Sequence, residues 1–211
     1  MSAYYHCCAR GAIREQVFAE IDVPEPREEL ALKRDFVPAR APWSTVIHES
    51  AHAVASVAIG GTVTRVTVDA RNASTAQNGR SRIGRGAVLM AGPFAENRLR
   101  RFRRTAATET VIELIDDANA GNCGLTCDQC LVARLFAFGP SDEDVAAGLA
   151  MYRRAEALAI RMIDDPAFWA AVLEVAERLD RDREVAGADV HEIASRHFVA
   201  GSFDPLSNNQ E

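Results

Sequence analysis

Between Pro42 and Gly60 the chain contains neither glycine nor proline, and within that run Ile47, Ala51, Val54, Ala55 and Ala58 fall at helical spacing. Apolar residues three and four apart line one side of a helix, which must bury them, so the segment is expected to be a core helix. Ser44 is its expected N-cap and the Gly60-Gly61 pair its stop, which gives a helix over Ser44 to Ile59. The same run reads VIHESAHA, with His48, Glu49 and His52 in the order His-Glu-x-x-His. Two histidines four apart share a helix face, so both imidazoles can reach one Zn²⁺ ion, and the glutamate beside the first is placed to take a proton from a water held there. The competing reading makes the three side chains hydrogen-bonded core groups. On an Ala/Val-rich helix an unpaired charge is costly to bury, and a zinc ion removes that difficulty.

The whole chain suits one soluble domain. Its 211 residues, 48% hydrophobic and 26% charged, suffice for a core as one domain or one domain with extensions. The 24 basic and 30 acidic residues give a net charge of -6, which argues against a nucleic-acid or membrane-binding surface. No stretch approaches the roughly 18 consecutive apolar residues of a membrane span, and MSAYYHCCARGAIREQ lacks the apolar core of a signal peptide, so a cytoplasmic protein is expected. In that compartment the five cysteines read as thiols or metal ligands, not as a disulfide framework.

Residues 1–42 read as an N-terminal extension, with a short helix over Ala12 to Ile21 and then Pro24, Pro26, Pro38 and Pro42 as breakers. Residues 43–199 read as the folded domain and 200–211 as a C-terminal tail. After the His-Glu-x-x-His helix, TVTRVTVDA (Thr62 to Ala70) alternates β-branched and other residues as a strand does, and RNASTAQNGRSR reads as its polar exit. A second helix is expected from Ile83 to about Phe102, kinked or broken at Gly92-Pro93. A short helix, a Gly/Asn loop and another helix follow, and from Ser141 two or three amphipathic helices are separated near Asp165-Pro166 and Gly187. The expected class is mainly α with a small β-sheet.

A catalytic zinc takes three protein ligands and keeps one position open. On residue type alone the third ligand can be Glu96, Asp116, Asp117 or Asp128, with the cysteines behind them.

The order of elements resembles the zinc peptidase domain of the FtsH-type ATP-dependent proteases. VIHESAHAVASVAIGG matches that family's first helix, GTVTRVTVDA its strand, and VLMAGPFAENRL its Gly-x-x-Ala-Glu segment through Gly92, Ala95 and Glu96. FWAAVLEVAERLDRDREVAGADVHEI resembles its closing helical segment, and the likeness covers about residues 43 to 195. It implies an FtsH-like peptidase fold. It also implies a third zinc ligand that is an Asp at a helix start, which Asp128 in GLTCDQCLVARL fits best, with Asp117 in reserve and Glu96 holding a ligand or the fold in place. Ser50 and Ala51 replace the usual small residues of the motif, and Pro93 stands where the family usually has Arg. No Gly-x-x-x-x-Gly-Lys-Ser/Thr phosphate loop occurs, and neither an ATPase module nor a membrane anchor is expected.

Two other patterns invite function. Cys123, Cys127 and Cys130 have a Cys-x3-Cys-x2-Cys spacing found in iron-sulfur enzymes, but those need a much longer barrel-like domain. A structural zinc or redox site with His6, Cys7 and Cys8 is a stronger reading, and free thiols beside the active site stronger still. The arginine-rich NRLRRFRR (Asn97 to Arg104) reads as a solvated helix end, since Phe102 alone does not make an interleaved set of aromatics for base stacking. His191 has no second histidine at metal-binding spacing.

The expected activity is ATP-independent, zinc-dependent hydrolysis of peptide bonds in unfolded or flexible segments. Glu49 is the general base, and His48, His52 and Asp128 hold Zn²⁺. An extended peptide would add along Thr62 to Ala70 if that strand is an exposed edge. The expected partners are a polypeptide substrate and either further copies of the chain or an unfoldase. The alternatives are a non-catalytic zinc-stabilised peptide- or protein-binding module and a cysteine-centred redox or iron-sulfur regulator.

Overall fold

The computed structural model describes residues 4–7, 13–16, 41–68, 73–78, 81–100, 105–124 and 127–205. The first strands are β1 (Tyr4–Cys7) and β2 (Ile13–Gln16), paired antiparallel with Tyr4 opposite Gln16 and Cys7 opposite Ile13. Ile13–Gln16 is therefore a strand and not part of the helix expected over Ala12 to Ile21. The backbone ladder with Tyr4–Cys7 outweighs its weak helical pattern. The rest of that expected helix, and Cys8, lie outside the described residues.

Helix α1 (Trp43–Ala58) is the centre of the fold. Sequence spacing gave it one apolar stripe, yet Val46, Ala53 and Val57 are as buried as Ile47, Ala51 and Val54. Its many alanines and valines let neighbours approach from several sides, and it packs against two long helices, the sheet and the C-terminal helix. It starts at Trp43, with Pro42 and not Ser44 in the N-cap position and no side-chain cap. The Pro42 carbonyl already accepts from the Thr45 and Val46 amides at 2.9 and 3.2 Å, so the helix is under way before Ser44 can cap it. Its stop is as expected: Gly60 takes φ 73, a conformation costly for any residue with a Cβ, and the Gly61 and Gly60 amides donate to the Ser56 and Val57 carbonyls at 2.7 and 2.9 Å.

Strand β3 (Thr62–Val68) follows and is the middle strand of a three-stranded antiparallel sheet, between β4 (Ala73–Asn78) and the short β5 (Glu184–Ala186). Val63, Val66 and Val68 face the core. The odd three-residue step from Val63 to Val66 coincides with a register shift against β4 between Val63 and Arg65, where an extra residue resets the alternation. Two expectations are corrected here. The stretch expected as a polar exit contains strand β4, and β3 is paired on both sides, so it is no edge to which a peptide could add.

Helix α2 (Arg82–Leu99) begins at Ser81, whose Oγ accepts from the Gly84 amide at 3.0 Å. It runs through Gly92-Pro93 without a break. Proline at that point removes only the bond that the Leu89 carbonyl would have received, and flanking turns held by packing against α1 keep the helix together. Arg98, within the arginine-rich run, is not simply solvated: it lies 4.4 Å over the Trp169 ring and donates to the Ile163 carbonyl. Arg101 to Arg104 lie outside the described residues.

Next come α3 (Thr108–Asn119), α4 (Asp128–Phe136), α5 (Asp142–Asp164), α6 (Pro166–Asp182) and α7 (Gly187–His197). The break between α5 and α6 is written in three residues. Asp165 Oδ1 accepts from the Ala167 and Phe168 amides at 2.8 and 2.9 Å, and Pro166 occupies the first helical position, where its missing N–H costs nothing. Replacing Asp165 with alanine is expected to lower stability by about 1 kcal/mol, read as a lower urea midpoint at unchanged slope, whereas Asp165→Asn should retain most of it. Residues 201–205, assigned to the tail by sequence, dock on α1: the Gly201 and Phe203 amides donate to the Val57 and Ala58 carbonyls at 3.1 and 2.9 Å. The buried Phe203 ring meets Phe168 and Phe198.

The described residues are thus mainly helical with small antiparallel sheets. Among them no helix is long and apolar enough to cross a membrane.

Candidate metal centre

The site assembles where α1, α2 and α4 meet. From α1, the four-residue step turns His48 and His52 to one side, with ring centroids 4.6 Å apart and planes nearly perpendicular. From α4, Asp128 enters as the first helical residue, after the extended Cys127. From α2, Glu96 and the backbone of Val88 lie behind the two rings.

The hydrogen bonds fix how each ring is used. His52 Nδ1 is 2.7 Å from the Val88 carbonyl oxygen, which can only accept, so Nδ1 carries the proton and donates. His48 Nδ1 lies 2.6 Å from Glu96 Oε1 and donates to it likewise. Both Nε2 atoms are thereby turned toward Asp128 Oδ2, at 2.9 Å from His48 and 3.4 Å from His52. In their neutral forms these rings present two lone pairs to an anionic oxygen, three acceptors with no donor between them. Such a group is stable only around a proton or a cation. The ligand atoms of His48, His52 and Asp128 lie within 4.8 Å of one another, and this group can hold a metal ion. The donor set fits a divalent ion of the zinc type, and the Glu96 and Val88 contacts are those that orient metal-bound imidazoles.

Without metal, a proton takes the cation's place. Burial alone would push His48 down, but the hydrogen bonds and charges of Asp128 and Glu96 outweigh it and raise the ring to about 10. Burial would likewise push Asp128 up, and the two imidazoles instead hold its carboxyl well below the usual range. For His48 the folded value exceeds the unfolded one, so its contribution to stability is complete below about pH 6.5 and is lost as pH rises toward 10. For Asp128 the contribution is present above about pH 3.8 and is lost as pH falls. Chelator-treated protein is therefore expected to melt highest between about pH 4 and 6.5, and its midpoint should decline from there toward pH 10. A midpoint flat over that upper range would refute the arrangement.

Gly92 makes the meeting of helices possible. A Cβ there would lie 2.6 Å from His52 Nε2 and 2.7 Å from His48 Nε2, inside any permissible contact, so α2 can pass over the two rings only as bare backbone. Glu49 follows His48 on α1 and is 8% exposed.

Of the four residues left open as a third ligand, the structure brings only Asp128 into the group. Glu96 is behind His48, while Asp116 and Asp117 sit on α3 outside it. Sequence reasoning missed the Val88 carbonyl, which leaves no trace in residue identity, and missed why residue 92 is glycine. Cys123, Cys127 and Cys130 lie in or against a small apolar cluster with Leu114 and Ala133, and do not form a second metal-binding group among the described residues. Burial, then the neighbouring Cys127 and Cys123 thiols, pushes the Cys130 thiol up. His197 pairs with Glu174 at 2.9 Å, away from the centre.

No protein-family model matches the sequence, and a search of curated proteins found no match.

Proposed function

We propose that this chain is a zinc-dependent, ATP-independent endopeptidase with an FtsH-like peptidase fold, acting in the cytoplasm on unfolded or flexible polypeptide segments. The observation that carries the reading is the convergence of His48 Nε2, His52 Nε2 and Asp128 Oδ2, with both Nδ1 atoms already committed to Glu96 and Val88. A zinc ion held by these three residues would supply Lewis acidity, polarising a scissile carbonyl and acidifying a water.

The chain's own residues would do the rest. Glu49 takes a proton from the attacking water as its oxygen bonds to the carbonyl carbon, and returns it to the amine nitrogen as the C–N bond breaks. Glu96 keeps His48 in the tautomer that frees Nε2, and the Val88 carbonyl does the same for His52. Because β3 is paired on both sides, an extended substrate would have to add at an outer strand of the sheet. A closed, four-ligand site would favour the non-catalytic binding reading. Against it, no thiol joins the three-residue group among the described residues, and three protein ligands are the number catalytic zinc sites use.

The test is metal analysis of purified wild type, His48→Ala and Asp128→Ala, with hydrolysis of an unfolded, fluorophore-labelled casein. One zinc per wild-type chain, lost in both variants together with hydrolysis, is expected. Zinc retained without His48 would end the assignment. Zinc bound as expected without hydrolysis of any unfolded substrate would favour the binding module.

A further inference from the structure

We propose that Cys127 and Cys130 form a redox-active dithiol which, by exchange with a small disulfide, closes a bond across Asp128 and weakens metal binding at the His48–His52–Asp128 group. The proposal rests on the metal reading above and adds a covalent modification site to it.

In the sequence Cys127-Asp128-Gln129-Cys130 the helix starts between the two thiols. Cys127 is the extended residue before α4, Asp128 is the first helical residue, and Cys130 lies in the first turn. An N-cap residue and the residue three on share the first turn, close enough for the side chain of each to reach the other's backbone. A disulfide needs its Cβ atoms about 3.5–4.5 Å apart. The two thiols are thus near enough to be joined by a local adjustment of one turn, with no rearrangement of packed elements.

The environment divides the labour between them. Cys127 is only partly buried and can meet a small molecule from solvent. Cys130 is fully buried, in one apolar cluster with Cys123, whose thiol donates to the Leu114 carbonyl at 3.6 Å. In the first step the Cys127 thiol gives its proton to solvent and its sulfur bonds to one sulfur of a disulfide RSSR, the S–S bond breaks and one RS⁻ leaves. In the second the Cys130 sulfur bonds to Cys127 as its proton passes to the departing sulfur, which leaves as RSH. Two protein thiols are oxidised and one RSSR is reduced to two thiols.

The consequence falls on Asp128 because it lies inside the ring that closes. Drawing residues 127 and 130 together to disulfide distance tightens the turn at its first residue. The Asp128 carboxylate is the bridge between two imidazoles at 2.9 and 3.4 Å. Metal ligation tolerates distance errors of only about 0.2 Å, so the displacement is expressed as lost affinity.

The test uses the full chain, freed of metal and equilibrated anaerobically with mixtures of glutathione and glutathione disulfide. Disulfides are mapped by peptide mass spectrometry, and zinc affinity is measured by competition with a chromophoric chelator. The oxidised wild type is expected to carry a Cys127–Cys130 bond and to bind zinc at least tenfold more weakly than the reduced form, with recovery on reduction. Cys127→Ser and Cys130→Ser should bind zinc equally in both buffers, and Cys123→Ser should follow wild type. A bond that runs instead through Cys123 or another thiol, or equal zinc affinity in the oxidised and reduced wild type, overturns the proposal. Failure of the metal reading is separately visible, as a reduced protein that binds no zinc at a His48-dependent site.

Discussion

Glu49→Gln is expected to leave one zinc ion per chain in place and to slow hydrolysis of an unfolded polypeptide about 10³-fold, within the range for loss of a positioned general base. The substitution preserves the size and shape of a side chain that is 8% exposed, so it should neither open a cavity nor add bulk. What it removes is the capacity to accept a proton: a carboxylate can take one from water and return it to the leaving amine, and an amide can do neither. Glu49 is also absent from the set of atoms that converge between His48, His52 and Asp128, so the metal has no need of it. Metal content and rate should therefore separate, which distinguishes Glu49 from the two histidines, where both fall together. Zinc lost in parallel with activity would assign Glu49 a structural part in the site. Unchanged activity with zinc retained would remove it from the chemistry.

What could be read in the sequence was what local chemistry decides. The gap in Gly and Pro up to Gly60-Gly61 specifies α1 and its Schellman-type end, and Asp165-Pro166 specifies the start of α6, because caps and breakers act within a few residues. Strand β4 was missed because Ala-Ser-Thr-Ala-Gln-Asn has little strand character of its own, and its conformation comes from the ladder β3 offers. Proline in α2 was expected to kink or break it, and the helix is not broken: packing against α1 holds it across residue 93. The two histidines were legible because a helix fixes their relation over four residues. The choice among Glu96, Asp116, Asp117 and Asp128 was not settled by composition or spacing, since those residues reach the histidines only through the packing of α2, α3 and α4. The choice of Asp128 there rested on resemblance, and the structure independently brings Asp128 together with the two histidines.

Replacing Gly92 with alanine is expected to weaken zinc binding at least about 100-fold, the upper range for loss of groups that orient metal ligands, in a protein that remains folded. Intrinsic helix propensity points the other way: alanine is favoured over glycine in a helix interior by about 1 kcal/mol, so α2 itself should gain from the change. The cost lies across the interface. The new methyl would sit 2.6 Å from His52 Nε2 and 2.7 Å from His48 Nε2, where carbon contacts need about 3.5–4.0 Å. Both rings must then give way by about 1 Å, and each is anchored on its far side, His48 by Glu96 and His52 by the Val88 carbonyl. Helix α2 carries those anchors as well as Gly92, so the same segment that holds the rings would push them off. In melting experiments the metal-free variant should unfold within a few degrees of metal-free wild type. At equal zinc concentration, however, it should gain about 2.7 kcal/mol less stabilisation, the equivalent of a 100-fold loss in affinity. A variant that binds zinc as wild type does would mean that the rings are free to move apart, and that the tight meeting of α1, α2 and α4 is not what defines the centre.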